Sequence, residues 1–420
     1  MALHLTDEER AIASGEAGDG AAIAIRLVAE TARLMGAPRL IAVASAHIDG
    51  ALYHGPSGTL FAERLVEGGG KVTARATLNV GALDLTGCSR QRLEGADRDM
   101  AARMMRAYRA LGCEPTWTCA PYQAGHRPAT GTDVAWGESN AVVFCNSVLG
   151  ARTNRYGDFL DIACAISGRA PDYGLHRPEN RRATFVFDIS AMPVAMQDDA
   201  SVWPVLGSLF GRRAGERIGV IAGVKRHPGE DALKAFGAAA ASSGAVGLFH
   251  MAGVTPEAPD LATALGGNLP DETIRLDAAT FAEARQALST VTGDGGIDAV
   301  AIGSPHLSAG ELDLLERLVA GRKLAVPLYA CTGRHALSAL GDHRRKALEA
   351  LGVVIVADTC VVVTPILPEI GQGVLMTNSG KFAHYAPGNT GYGVIYGSFT
   401  DCVESAVAGR VNFTRGPEWS

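Results

Sequence analysis

Apolar residues recur at helical spacing through "LTDEERAIASGEAGDGAAIAIRLVAETARLMG", residues 5–36, with charged positions between them. The pattern predicts two helices broken across Gly15–Gly20, the first opened by Thr6 with Glu9 three residues on, a capping box. The period then shortens. "RLIAVASAHI" (39–48) predicts a strand and "DGALYHGPSG" (49–58) the loop after it; "KVTARATLNV" (71–80) is extended, and "SRQRLEGADRDMAARMMRAYRALG" (89–112) is a long helix ending in "CEPTWTCAPY". Residues 141–170 are small and apolar enough to be core. "RATFVFDISAM" (182–192) and "ERIGVIAGV" (216–224) are further strands, with "WPVLGSLFGRRAG" between them as a connector that could join two lobes, and 255–272 is a Pro-, Gly- and acid-rich surface loop.

The last third is the most regular. "IGSPHLS" (302–308), "YACTGRHA" (329–336) and "VADTCVVVTP" (356–365) each follow or contain a short β-branched run, and the two segments between them have helical periodicity. This is a β-α-β-α-β unit of a doubly wound parallel sheet, and it places Ser304, Cys331 and Cys360 just past strand C-termini, where open α/β sheets bind ligands.

Composition narrows the class. A chain of 420 residues exceeds what one core usually supports, so two or three α/β lobes are expected, about 1–205 and 206–420, with a cleft between lobes. Fifty-one glycines and 6% aromatics suit an α/β enzyme with many tight strand-to-helix turns. A net charge of −6 gives no footprint for nucleic acid. No apolar run reaches the roughly 18 residues that span a bilayer, and "MALHLTDEER" is acidic where a signal peptide is basic, so the cytoplasm is the expected compartment. The eight cysteines are scattered with no C-x-x-C pair, which is neither a disulfide scaffold nor a zinc ribbon. Cys145 and Cys164, set in apolar runs, read as core.

Familiar catalytic motifs are missing: no G-x-G-x-x-G after a strand, no Walker A, no G-x-S-x-G and no H-E-x-x-H. What remains is a set of polar, Gly-rich loops. "GEAGDGAA", "SAHIDGALY", "TLNVGALD", "TCAPY", "WGESNAVVFCNSVLGARTNR", "GSPHLS", "VADTCVVVTP" and "TNSGK", in this order over nearly the whole chain, resemble the large catalytic subunit of the aconitase X family. The resemblance implies an aconitase-like, multi-lobed arrangement of doubly wound sheets around a central cleft. It also implies an iron–sulfur hydro-lyase: bacterial members dehydrate cis-3-hydroxy-L-proline to 1-pyrroline-2-carboxylate, archaeal ones 5-phosphomevalonate. A small swivelling domain, separate in many members, is expected here as a partner subunit in a heterodimer.

Such a dehydration needs a base for a carbon-bound proton, a Lewis acid or proton donor for the leaving hydroxyl, and a cation for the carboxylate. Thiolates on distant loops select soft iron over magnesium. On the resemblance, Cys119 and Cys360 match two cluster ligands, while Ser304 stands where the archaeal pattern has a third cysteine. That departure implies a smaller or differently ligated centre, a 2Fe–2S cluster, and disfavours the phosphomevalonate activity; Cys331 is a physically possible substitute ligand. Gly50, Ala51 and Leu52 fall in a substrate-contacting loop, and Asn79, Glu138 and Ser139 on substrate-binding positions. Glu138 either meets the ring nitrogen's charge or gives iron an oxygen ligand. Ser379 resembles the base of the wider superfamily, with Lys381 beside it as electrostatic support or as the cation for the substrate carboxylate, and reads equally as a helix N-cap. His47 and His306 read as structural donors, and Arg152 and Arg155 as braces of their loop. Two other classes remain: a metal-free hydrolase or isomerase using Ser379 and Lys381, and a non-enzymatic iron–sulfur sensor.

Overall fold

The computed structural model describes residues 3–416 except 89, 294, 369–372 and 415. The chain divides into two units, Met1–Leu83 with Leu93–Arg182, and Asp84–Arg92 with Ala183–Ser420.

In the first unit the opening helices are α1 (Asp7–Ser14) and α2 (Asp19–Leu34). The capping box forms: Glu9 N–H donates to Thr6 Oγ1 at 3.2 Å and Thr6 N–H to Glu9 Oε2 at 2.9 Å. The first predicted strand splits. Leu40–Ala42 pairs antiparallel with Arg169–Pro171, and β1 (Ser45–Ile48) instead centres a three-stranded parallel sheet between β2 (Arg75–Leu78) and β3 (Ala135–Trp136). Helices α3 (Pro56–Glu67), α4 (Gly95–Ala110), α5 (Ser139–Phe144) and α6 (Leu160–Ser167) complete the unit. Ser89, where the long helix was predicted to begin, lies outside the described residues. The buried face of α2 (Ala24, Ile25, Val28, Ala32) shares one core with Ile162, Ala163 and Ile166 of α6, so the apolar period of the sequence is spent on helix-to-helix packing.

The second unit has two parallel sheets. Strands β4 (Phe185–Asp188), β5 (Gly219–Ala222), β6 (His250–Met251) and β7 (Glu272–Arg275) lie in the order β6-β5-β4-β7. The predicted connector 203–215 is instead a buried helix, α7 (Val202–Ala214), packed on α8 (Glu230–Ser243). Its proline and glycines misled the reading for a physical reason. Pro204 sits in the first turn, where no intrahelical N–H is lost, and a Cβ on Gly207 would come 2.2 Å from the Phe236 carbonyl oxygen, so the glycine is a contact point and not a break. The predicted loop 255–272 carries a short helix, Leu261–Ala264, capped by Asp260.

The second sheet holds β8 (Ala299–Leu307), β9 (Leu328–Thr332), β10 (Val353–Ala357), β11 (Val374–Thr377) and β12 (Gly393–Tyr396) in the order β10-β9-β8-β11-β12, all parallel. Crossovers run through α9 (Ala309–Val319) and through α10 (Arg334–Leu340) with α11 (Asp342–Ala350); α12 (Gly380–Thr390) and α13 (Phe399–Ala408) follow. The order reverses between β8 and β11, the switch point at which doubly wound sheets open a crevice. Ser304 and Cys331 lie within β8 and β9 and not past their ends, as the sequence reading had them; only Cys360 does, beyond β10. The ladder is nevertheless broken: Ile302 pairs with Ala330 and Leu307 with Thr332, so Gly303–His306 bulges opposite Cys331. Gly303 is required there. Its φ is +92° and a Cβ would meet the Cys331 carbonyl oxygen at 2.1 Å.

Candidate active-site residues

In the first unit the three parallel strands end side by side, and the loops after them carry the predicted substrate-binding residues. Asp49 and Gly50 follow β1, Asn79 follows β2, and Glu138 and Ser139 follow β3. Asn79 Nδ2 donates to Asp49 Oδ1 at 2.5 Å, leaving Asn79 Oδ1 buried with no hydrogen-bond partner among the described residues. Glu138, 4% exposed, caps α5, its Oε2 accepting Ala141 N–H at 2.6 Å and its Oε1 the Ser139 hydroxyl at 3.1 Å. Asn140 Nδ2 reaches back to the Cys119 carbonyl at 3.0 Å, so Cys119, Glu138 and Ser139 belong to one cluster. Ala51 is fully buried, so it offers only backbone; Leu52 closes the turn with its N–H on the Asp49 carbonyl at 3.1 Å.

Beneath the strands runs a chain of 2.8 Å hydrogen bonds: Ser45 Oγ to His126 Nε2, His126 Nδ1 to Thr77 Oγ1, and Thr77 Oγ1 to His47 Nδ1. Burial lowers His47 to about 3, reinforced by His126 and opposed by Glu138 and by the backbone of Thr77 and Thr118. His126 falls to about 4 through burial and then Arg75. Both rings are therefore neutral, and each Thr77 proton position dictates their tautomers. Asp161, in an apolar run that the sequence reading took for core, is fully buried and receives Asp49 N–H at 2.6 Å and Gly50 N–H at 3.1 Å on Oδ2. Burial pushes its carboxyl up to about 8, with the Gly50 N–H pulling down and Asp49 pushing further up. The signal for it was present: one acid inside "FLDIACAIS" asks for a partner.

In the second unit the switch-point crevice is bridged directly. The Ser379 hydroxyl donates to the Ser304 carbonyl across the two lips, and accepts Phe382 N–H at 2.9 Å as the N-cap of α12. Ser379 is thus the cap that the residue pattern allowed, with its proton held on Ser304. Ser304, Pro305, Asn378, Ser379 and Gly380 share a cavity of about 30 Å³ with Lys234 and Glu311. Lys234 is buried and charged, its Nζ on the Glu311 carboxylate at 2.5 Å, the Asp231 carboxylate at 2.9 Å and the His306 carbonyl at 3.2 Å. His306 Nε2 in turn donates to the Thr359 carbonyl at 3.1 Å, which ties the bulge to the Cys360 turn; burial holds this ring's pKa near 4. Asp358, with φ +63°, is clamped by Arg334 and by Leu85 N–H at 3.1 Å.

Cys119 and Cys360 share a local pattern. Each follows a buried threonine, Thr118 or Thr359, and each stands two residues after a non-glycine in the left-handed region, Trp117 (φ 44°) or Asp358 (φ 63°). Such backbone costs on the order of 1–3 kcal/mol and persists where a site demands it. Both cysteines keep 8% exposure, whereas Cys145, Cys164 and Cys402 have none and burial raises their thiol pKa values. Cys331 is 1% exposed inside β9. Among the described residues no group of three or more His, Cys, Asp and Glu side chains gathers as a metal site.

Comparison with known proteins places the chain. Models of the aconitase X first, second and third domains match residues 2–179, 183–286 and 297–408. A cis-3-hydroxy-L-proline dehydratase of Pseudomonas aeruginosa is 43% identical over 96% of this chain and 70% of its own length, and one of Hypocrea jecorina 40% over 97% and 69%. The phosphomevalonate dehydratase large subunit of Methanothermobacter thermautotrophicus is 36% identical over 96% of this chain and 98% of its own. The crystal structure of Thermococcus kodakaraensis aconitase X in its holo-form superposes with a TM-score of 0.85 at 32% identity, covering 96% of this chain and all of that one. The chain belongs to the aconitase X family of hydro-lyases.

Proposed function

We propose that this chain dehydrates cis-3-hydroxy-L-proline to 1-pyrroline-2-carboxylate, as the catalytic chain of an iron–sulfur enzyme. The observation that carries the substrate is the match to relatives named for that reaction, at 43% and 40% identity against 36% for the Methanothermobacter phosphomevalonate dehydratase. The residues agree with it. A zwitterionic cyclic amino acid presents a ring ammonium, and the loops above β1–β3 offer the acceptors Asp49, Asn79 and Glu138.

The donor set fits an iron–sulfur centre: two buried thiols on loops with strained backbone, each residue keeping 8% exposure where Cys145, Cys164 and Cys402 have none. Cys119 and Cys360 would hold it, with Ser304 as an oxygen ligand and a 2Fe–2S composition. Such iron supplies a Lewis acid for the leaving 3-hydroxyl. As the alkoxide, Ser379 takes the proton from C2, and the electron pair left there forms the C2–C3 double bond as the C3–O bond breaks. The leaving hydroxide takes a proton from solvent to become water while the Ser379 hydroxyl returns its own to solvent, and the enamine moves a ring-nitrogen proton to C3 to give the cyclic imine. The Ser379 oxygen already accepts Phe382 N–H at the start of α12, and that helix terminus with Lys381 favours its anionic form, against the Ser304 carbonyl, which favours the protonated one, so the base role needs that contact to open. Gly50, Ala51 and Leu52 contribute backbone groups, and Asn79, Glu138 and Ser139 hold the ring.

A small partner subunit belongs to this reading, supported by the "large subunit" names of the phosphomevalonate dehydratases. So does a cytoplasmic setting. Among the described residues no helix is long and apolar enough to cross a membrane, and none of the eight cysteines forms a disulfide. Phosphomevalonate dehydration is the second reading, favoured by the near-complete coverage of the Methanothermobacter chain. Incubating the anaerobically prepared protein, with its small subunit, with cis-3-hydroxy-L-proline and following the cyclic imine tests the first reading; absence of imine alongside consumption of 5-phosphomevalonate overturns it.

A further inference from the structure

Asp161 joins two of the first unit's three loops, those after β1 and β3. It lies on α6, 112 residues along the chain from Asp49, yet its Oδ2 accepts Asp49 N–H at 2.6 Å and Gly50 N–H at 3.1 Å, and its Oδ1 accepts Ile162 N–H at 2.6 Å. The third loop closes on the same carboxyl: a Cβ on Gly137 would stand 2.8 Å from Asp161 Oδ2 and 2.9 Å from Asp49 Cβ. Gly50 has no room for a side chain, since a Cβ there would meet Tyr108 Oη at 2.8 Å and Asp161 Oδ1 at 3.5 Å. No cation is among the partners of Asp161 in the described residues, and a buried carboxyl without one is costly to keep. What it holds is therefore informative.

The turn that Asp161 fixes aims Asp49, and Asp49 Oδ1 takes Asn79 Nδ2 at 2.5 Å. That bond orients the amide and leaves Asn79 Oδ1, on a residue 2% exposed, as an acceptor with no donor among the described residues. A buried acceptor left open at a cluster of carboxylates calls for a cationic N–H donor. We propose that Asp161 is a positioning residue for specificity: it sets the Asp49–Gly50 turn so that Asp49 and Asn79 present their acceptors to the ring ammonium of a cyclic amino acid. The assignment rests on the proposed substrate and names the subsite that distinguishes it from an anionic phosphate ester.

The test is Asp161→Asn, an isosteric change whose amide nitrogen cannot accept, so an N–H of Asp49, Gly50 or Ile162 loses its partner. Two readouts are taken on the holoenzyme with its small subunit. KM for cis-3-hydroxy-L-proline should rise about tenfold with kcat within about threefold, since the lost interaction orients bound substrate and not the reacting bond. Amide hydrogen exchange in the peptide spanning residues 45–53 should quicken by about tenfold, a local opening that needs no substrate to detect. Asp161→Ala, if it folds, should extend both changes. Unchanged exchange in Asp161→Asn overturns the positioning role. Quickened exchange with unchanged KM overturns the link to the ammonium. If the wild type makes no imine, the substrate reading and the ammonium subsite fall together, and exchange still decides whether Asp161 sets the turn.

Discussion

Ser379→Ala separates two roles that the fold assigns to one hydroxyl. As a cap, the oxygen accepts Phe382 N–H at 2.9 Å, and as a donor it satisfies the Ser304 carbonyl across the crevice. Removing the cap costs about 1 kcal/mol, and leaving a half-buried carbonyl unpaired another 1–2 kcal/mol or so. The sum, roughly 2–3 kcal/mol, lowers Tm by about 5–10 °C for a unit of this size. As a base, Ser379 supplies a factor of about 10²–10⁴ in kcat, equivalent to roughly 3–5 kcal/mol of barrier. The discriminating variant is Ser379→Asn, whose carbonyl can cap the helix and whose amide N–H can serve Ser304, but which is no base. Calorimetry and steady-state turnover of the two variants, with iron content measured on each, give the answer. Tm should largely return in Ser379→Asn while kcat stays down. If kcat returns with Tm, Ser379 is a cap alone, and Glu138 is the next residue to test as base.

Three further outcomes follow from the same geometry. Cys119→Ser and Cys360→Ser should each bleach the visible absorption and cut iron content, because a hydroxyl is a poor ligand for soft iron; full iron in both would end the ligand assignment, and loss only in Cys331→Ser would move it. His126 stays neutral in the folded chain, near 4 against an ordinary 6.5, so its contribution to stability is present above 6.5 and is lost as pH falls toward 4, by about 2 kcal/mol at pH 5. His126→Asn should remove that share of the acid loss in urea titrations compared near pH 7.5 and pH 5; an identical pH slope to wild type would show that the ring is protonated when folded. Asp161→Asn should raise KM and loosen the 45–53 backbone together.

Much of the second unit's fold was legible because buried parallel strands are short β-branched runs and their crossovers carry unambiguous helical period. The sheet order brings Ser304 to Ser379 at one crevice, whereas the sequence grouped Ser304 with Cys331 and Cys360. The bulge at Gly303 was not legible, since nothing local tells where a ladder will lose register. Helix α7 was missed because its glycines serve a helix-to-helix contact that only the neighbour α8 explains. The site showed the same division. Candidates in polar loops, such as Asn79 and Glu138 after strands and Cys119 after α4, stand out in the sequence, whereas the groups that hold them do not. Asp161, Thr77 and His126 act across 30 to 112 residues of sequence, and their spacing follows the fold and no local pattern.

The central claim is the choice of substrate, and one measurement addresses it: kcat/KM of the reconstituted holoenzyme for cis-3-hydroxy-L-proline and 5-phosphomevalonate, side by side. The loops above β1–β3 present acceptors suited to an ammonium, so the hydroxyproline should be preferred at least about tenfold, a margin of roughly 1.4 kcal/mol in transition-state binding. Equal or greater kcat/KM on the phosphate ester would contradict the account.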